Sequence, residues 1–246
     1  MNRREFTIAS ALGVTGSILF GCSDSRPYPF KKNQVIACFG DSITYGGGNG
    51  YVEILQELAD KSRPDLNLNF LNWGKSSETI TGLTEVGHPG PRPYIFERLD
   101  ELLASRPIDI ALFCYGINCG IYGKPSQKLF DSYKIGVLSI LEKAKAKNIK
   151  VILLTPPPLT LKTAPLEIDV EAEFTWLNPY PNYDEEVLQE FKKTVLTLEH
   201  DALFTSIDIH TPLSQNQATC YDKDPIHPNL TGHRLIAHTI IEKLRI

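Results

Sequence analysis

A basic excess is the first thing this chain lacks. Its 246 residues carry 25 Lys and Arg against 29 Asp and Glu, a formal net charge of −4 with histidines neutral. A sequence-independent nucleic-acid binder needs surplus cations to displace phosphate counterions, so no nucleic-acid partner is expected. Long apolar runs are also missing. Beyond residue 33 nothing approaches the 18 residues of a membrane-spanning helix. No heptad persists and no segment repeats at solenoid or propeller period, which excludes coiled coils and repeat arrays. Cysteine is scarce, five in all. Cys114 and Cys119 bracket four residues with no further Cys or His nearby, a poor zinc spacing. Cys38, Cys114, Cys119 and Cys220 therefore read as buried or half-buried free thiols. His233 and His238 stand five apart, which does not put a metal pair on one helix face. No metal site is expected. What is present is ordinary: 42% hydrophobic and 22% charged residues, at a length that suits one α/β domain.

The N-terminus departs from that composition. Met-Asn-Arg-Arg-Glu-Phe leads into an apolar, Gly-containing stretch from Thr7 to Phe20, a basic head and short hydrophobic segment of export-signal layout. The segment is too short to span a bilayer comfortably as a permanent helix. Arg3 and Arg4 with Phe6 resemble a twin-arginine signal. Leu19-Phe20-Gly21-Cys22 looks like a bacterial lipobox, although Phe20 is larger than that pattern usually allows. The expected organisation is a signal peptide over residues 1–21, a polar, Pro-containing tether over 22–33 beginning at lipidated Cys22, and one folded domain over 34–246. Such a protein is exported and touches the cell-envelope membrane only through its lipid anchor.

Along the domain, short apolar runs alternate with helical periodicity. Strands are expected at Gln34 to Gly40, Leu66 to Trp73, Asp109 to Tyr115, Val151 to Thr155 and Leu203 to Ile209. Helices are expected at residues 51–61, Tyr94 to Ala104, Gln127 to Lys147, Tyr183 to Glu199 and Leu230 to Leu244. The strands are continuous apolar runs rather than alternating ones, the mark of a parallel sheet covered on both faces. In such sheets ligands bind outside the carboxyl ends of the strands.

Those ends carry the informative residues. Gly40-Asp41-Ser42 follows the first strand, Gly74-Lys75-Ser76-Ser77 the second and Gly116-Ile117-Asn118 the third, while Asp224-Pro225-Ile226-His227-Pro228 precedes the last helix. A hydroxyl is a weak nucleophile until a base activates it, and near neutrality that base is a histidine. The base in turn needs a carboxylate to fix its tautomer. Asp224, three residues before His227, has that spacing, and the two prolines stiffen the segment. Asp222 is the competing carboxylate. Acyl transfer also creates an oxyanion that needs preorganised donors: the backbone N–H groups of Ser42 and Gly74 and the Asn118 amide are the candidates.

Together the blocks resemble the SGNH (GDSL) hydrolase superfamily, with Ser42, Gly74, Asn118 and His227 standing for its four named residues and Asp224 completing Asp-x-x-His. The resemblance covers most of the chain, from residue 40 to 227. It implies a three-layer α/β/α, flavodoxin-like fold with a five-stranded parallel sheet, and ester hydrolysis through an acyl-enzyme with no cofactor. The catalytic set it implies is Ser42, Asp224 and His227, with Ser42, Gly74 and Asn118 as oxyanion hole. The Gly-x-Ser-x-Gly elbow of α/β-hydrolases is absent around Ser42. One departure is visible: the third block usually reads Gly-x-Asn-Asp, and here Cys119 replaces the Asp. Loss of that carboxylate is expected to loosen the loop and reduce activity. The expected substrate is a small-molecule or polysaccharide ester, with carbohydrate O-acetylesters first. A lysophospholipase or acyl thioesterase, or a non-catalytic glycan-binding lipoprotein on the same scaffold, are the alternatives. Residues 156–182, rich in Pro and acids and carrying Phe174 and Trp176, form either a lid over the site or a solvated excursion. Residues 82–93, with His88 and Arg92, are a second candidate wall.

Overall fold

Continuous apolar runs become the centre of one sheet in the computed structural model, which describes residues 30–246. The expected export signal, twin-arginine pair and lipidation at Cys22 lie outside the described residues. Five strands, β1 (Val35–Gly40), β2 (Asn69–Gly74), β3 (Ile110–Cys114), β4 (Lys150–Leu154) and β5 (Leu203–Ile207), pair in parallel in the order β2-β1-β3-β4-β5. Central β1, β3 and β4 are almost wholly buried, whereas edge strands β2 and β5 are half-covered. Their apolar runs are continuous because helices cover both faces. In one layer α2 (Tyr51–Ser62) packs on α8 (Leu230–Leu244). In the other, α4 (Gln127–Lys145) packs on α5 (Gln189–Thr197), and Lys143 of α4 reaches Asp100 of α3 (Leu99–Ser105) at 2.7 Å.

The departures from the expected elements have local causes. Asn67 sits at φ 46, so the chain turns there and β2 begins at Asn69 rather than Leu66. The helix expected over Tyr94 to Ala104 opens as a 3-10 turn at Ile95–Glu97 and breaks at Arg98. The Arg98 side chain is drawn away to Glu78 at 2.6 Å and to the Trp73 carbonyl at 2.8 Å. The helix expected from Tyr183 begins as a π-type turn, Tyr183–Leu188, where the Tyr183 hydroxyl donates to the Ile117 carbonyl and accepts from the Gly120 N–H. Three helices, α1 (Ser42–Tyr45), α6 (His210–Gln215) and α7 (Gln217–Cys220), are too short to leave a periodic signal.

The strand order fixes where a ligand can sit. The chain leaves β1 for β2 on one side and later returns to β3 on the other, so the crevice opens at the carboxyl end of β1. Gly40, Gly74 and Cys114 share one level in the sheet register. The segments that follow them therefore leave the sheet side by side.

Candidate active site

Ser42 stands where β1 runs out. Asp41 caps α1, its buried carboxylate accepting from the Ile43 N–H at 3.0 Å. The helix folds back so tightly that a Cβ on Gly40 would lie 2.0 Å from Thr44 Oγ1 and 2.7 Å from the Cys114 carbonyl. Ser42 Oγ is thereby held 2.8 Å from His227 Nε2. His227 Nδ1 lies 2.6 Å from Asp224 Oδ2. An ionised carboxylate only accepts, so Nδ1 carries the proton and Nε2 turns a lone pair to the hydroxyl. The other oxygen of Asp224 accepts the N–H groups of Ile226 at 2.8 Å and His227 at 3.2 Å, so one side chain fixes both turn and ring. Asp222, the competing carboxylate, accepts instead from Asn229, the cap of α8.

The electrostatics follow these contacts. The bond to Asp224 raises the His227 pKa above its ordinary value against the opposing effect of burial, and the Asp224 and Asp41 charges add to the rise. Burial pushes the Asp224 carboxyl up, but the His227 ring and the two backbone donors outweigh it and hold the group below the usual carboxylate range. Burial lifts the Asp41 carboxyl to about 6, opposed by the Ile43 N–H and the His227 charge.

Beside this series lies a cavity of about 330 Å³, whose lining includes Ser42, Ser77, Asn118 and His227. Tyr122 donates to Asn118 Oδ1 at 2.9 Å, which leaves the Asn118 NH₂ for the cavity. The N–H of Ser42 opens α1 and has no acceptor within that helix. Gly74 departs from expectation. Its N–H donates to Asn72 Oδ1 at 3.1 Å, and the residue does not line the cavity. It is glycine because α1 crosses over it: a Cβ would lie 2.2 Å from the Tyr45 nitrogen. Ser77 takes the cavity position instead, at φ 65, with its N–H free of any protein acceptor among the described residues. The sequence hid this, because a left-handed position is ordinarily sought at a glycine.

The loop at Cys119 is also held differently from expectation. Burial pushes its thiol up to about 12, so it is neutral. Its Sγ accepts from the Ile80 N–H at 3.5 Å and its carbonyl accepts from Thr81 Oγ1 at 3.0 Å. Both candidate walls reach the cavity, residues 82–93 through His88 and Arg92 and residues 156–182 through Trp176. The 156–182 segment carries its own scaffold, a Thr175–Asn178 bridge and Asn178 amide bonds to the Asp169 and Glu173 carbonyls. A larger surface cavity of about 490 Å³, between Thr84–Val86 and Val170–Phe174, includes neither Ser42 nor His227. Among the described residues no three His, Cys, Asp or Glu side chains group as a metal site, and no helix is long and apolar enough to cross a membrane.

A flavodoxin-like sheet that presents hydroxyl, imidazole and carboxylate in hydrogen-bonded series at its strand ends is the architecture of an SGNH-type ester hydrolase. The chain belongs to the GDSL-like lipase/acylhydrolase family, whose profile matches residues 38–235, and it is a carboxylic ester hydrolase. A search of curated protein sequences finds no match. Among solved structures, the acetylxylan esterase Axe2 of Geobacillus stearothermophilus superposes with a TM-score of 0.65 at 18% identity, covering 88% of this chain and 96% of its own. A Parabacteroides merdae protein described as a GDSL-like lipase superposes with a TM-score of 0.67 at 20% identity, covering 89% and 99%. LAE5, an alpha/beta hydrolase enzyme from the metagenome of Lake Arreo, Spain, reaches 0.61 at 17% identity, covering 88% and 97%.

Proposed function

We propose that the protein is a serine esterase that removes short acyl groups, acetyl above all, from a carbohydrate. Ser42 Oγ attacks the ester carbonyl as His227 Nε2 takes its proton. The N–H groups of Ser42 and Ser77 and the Asn118 amide stabilise the tetrahedral oxyanion. His227, steadied as imidazolium by Asp224, then protonates the leaving alcohol, and later activates the water that releases the acyl group. The single observation behind this reading is the unbroken series Ser42–His227–Asp224, at 2.8 and 2.6 Å, beside a cavity lined with unspent donors.

The substrate class rests on that cavity. At about 330 Å³, with Ser76 and His88 among its lining and Trp176 on one wall, it suits a compact polar alcohol beside a small acyl group. A long acyl chain needs an extended apolar groove. The Axe2 likeness points the same way. The test is a fluorophosphonate probe followed by a panel of 4-nitrophenyl and sugar esters. Labelling of the wild type but not of Ser42→Ala, with a sharp preference for acetyl, supports the proposal. Preference for long chains would make the enzyme a lysophospholipase or thioesterase. No labelling of folded protein would make it a binder.

We further propose that residues 1–21 are an export signal and that Cys22 is lipidated at the cell envelope, with residues 22–33 as tether. The support is the basic head, apolar segment and Cys22 in order. Radiolabelled palmitate should enter the wild type in a bacterial host and not Cys22→Ala; equal labelling refutes this.

A further inference from the structure

Arg92, in the lining of the cavity, forms an ion pair with Glu85 that the acyl-transfer chemistry leaves unused. Glu85 and Arg92 retain only 1% and 2% of their side-chain exposure. They meet as two parallel bonds, Nε to Oε2 at 2.6 Å and Nη2 to Oε1 at 2.5 Å. Withdrawing two charges from water costs more than their attraction commonly returns, so stability alone is a weak reason for such a pair. Its geometry supplies another. With one edge of the guanidinium fixed on Glu85, Nη1 donates to the Ser77 carbonyl at 3.2 Å. The N–H of that same peptide, belonging to Glu78, donates to the Lys75 carbonyl at 3.1 Å. The peptide after Ser77 is thus gripped at both ends, and only the two backbone torsions of Ser77 itself, with φ at 65, separate it from the Ser77 N–H. The guanidinium carbon also lies 5.7 Å from the centre of the Tyr122 ring, whose hydroxyl fixes the Asn118 amide at 2.9 Å.

We propose that Glu85 and Arg92 are positioning residues that aim two of the three oxyanion donors, Ser77 N–H through its carbonyl and Asn118 through Tyr122. This rests on the esterase reading above and adds the pair that makes its oxyanion hole rigid. Arg92 suits the task because its planar fork engages a carboxylate and a carbonyl in different directions at once. Without the grip, Ser77 is free to leave its left-handed conformation and turn its N–H away from the cavity.

The experiment compares wild type with Tyr122→Phe and with the double variant Glu85→Leu/Arg92→Met, which leaves no unpaired buried charge. Circular dichroism and thermal melting report folding, and 4-nitrophenyl acetate gives kcat and KM. A trifluoromethyl ketone, which forms a tetrahedral oxyanion adduct with an active serine, gives Ki. The folded double variant should lose about 10- to 100-fold in kcat with KM within about threefold, because misplaced donors fail only in the transition state. Its Ki should rise in step with the fall in kcat/KM, which a merely structural role would not require. Tyr122→Phe should lose about 3- to 10-fold in kcat with the ion pair intact. Wild-type kcat in the folded double variant overturns the proposal. So does a raised KM with kcat intact, which would make Arg92 a substrate contact. If the double variant does not fold, wild-type kcat in Tyr122→Phe overturns it. A wild-type protein that hydrolyses no ester and resists the phosphonate fails the esterase reading instead.

Discussion

Asn118→Asp changes one atom's chemistry at nearly constant shape. Tyr122 still finds an acceptor at Oδ1, 2.9 Å away, so the packing around residue 118 keeps its main restraint. The opposite atom changes from NH₂ to oxygen, and while the carboxyl is ionised the donor to the oxyanion is gone. Loss of one such donor costs about 10²–10³ in kcat, or ~2.7–4 kcal/mol. A charged carboxylate adds repulsion. At about 4 Å and an effective dielectric near 20, two unit charges interact by ~4 kcal/mol, an upper figure because a buried carboxyl takes up a proton to avoid it. Asn118→Asp should therefore lose at least about 10³ in kcat at alkaline pH, and less at mildly acidic pH, where the protonated carboxyl donates through its O–H. Asn118→Ala should lose about 10²–10³ with no such pH trend. The alanine variant pays elsewhere, since the buried Tyr122 hydroxyl loses its acceptor. An unsatisfied buried group costs ~1–3 kcal/mol, which lowers Tm by roughly 2–12 °C in a domain of this size. Steady-state hydrolysis of 4-nitrophenyl acetate from pH 5.5 to 9, with thermal melting, measures all of this. If the alanine variant, or the aspartate variant at alkaline pH, keeps more than about a tenth of wild-type kcat, Asn118 is not an oxyanion donor.

Five further outcomes follow from the same geometry. The acid limb of kcat/KM should have its midpoint above the ordinary imidazole value of 6.5, because catalysis needs neutral His227 and Asp224 raises its pKa; in Asp224→Asn the limb should move to lower pH and kcat should fall by about 10⁴. The pair also links stability to pH: the His227 contribution is complete below 6.5 and fades as pH rises through its raised value, the Asp224 contribution is complete above 3.8 and fades as pH falls through its lowered value, so in urea titrations Asp224→Asn should cost most between the two. Ser77→Gly should raise Tm by roughly 1–4 °C, since left-handed backbone costs a non-glycine residue ~1–2 kcal/mol and glycine returns part of that as unfolded-state entropy; an unchanged or lower Tm refutes the conformation assigned to Ser77. Trp176→Ala should raise KM for an acetylated oligosaccharide severalfold more than for 4-nitrophenyl acetate, and equal effects would show that this ring contacts the acyl side. Cys119→Asp should bring no gain in kcat and a lower Tm, because a carboxylate there is fully buried, lies within the field of Asp41, and replaces a neutral thiol already bonded to Ile80; a gain in rate would show that the loop is under-held.

How much of this was visible in the sequence divides by range. Elements decided within a few residues were legible. Leu230–Leu244 is helical over the span its apolar spacing marks, and β1 to β4 lie where apolar runs stop at, or within two residues of, a Gly or Pro. Asp224 and His227 are three residues apart, so the contact between them was readable as a local turn. Ser77 was hidden because its conformation is imposed from outside. A Gly at 74 invites the oxyanion role, yet that glycine answers to the backbone of Tyr45, and nothing local tells the two demands apart. Arg92 read only as part of a loop wall, since its partners come from the segment after β2 and from the turn carrying Tyr122. The reach of Trp176 into the cavity was equally a property of the folded 156–182 segment rather than of its composition.

The three donors come from three neighbouring strands, and that explains why a single lost carboxylate need not disable the site. Ser42 follows β1, Ser77 follows β2 and Asn118 follows β3, strands that lie side by side with Gly40, Gly74 and Cys114 level in register. Strands in a sheet are about 4.8 Å apart, so peptides leaving three adjacent ends already lie within about 10 Å of one another. Convergence then needs only that each peptide be turned inward, and each turn has its own device. The Asp41 cap turns Ser42, the Arg92 grip turns Ser77, and the Tyr122 hydroxyl turns Asn118. None of these bonds passes through the side chain of residue 119, whose Sγ faces the Ile80 N–H instead. The third turn is therefore held by Tyr122 whichever side chain stands at 119.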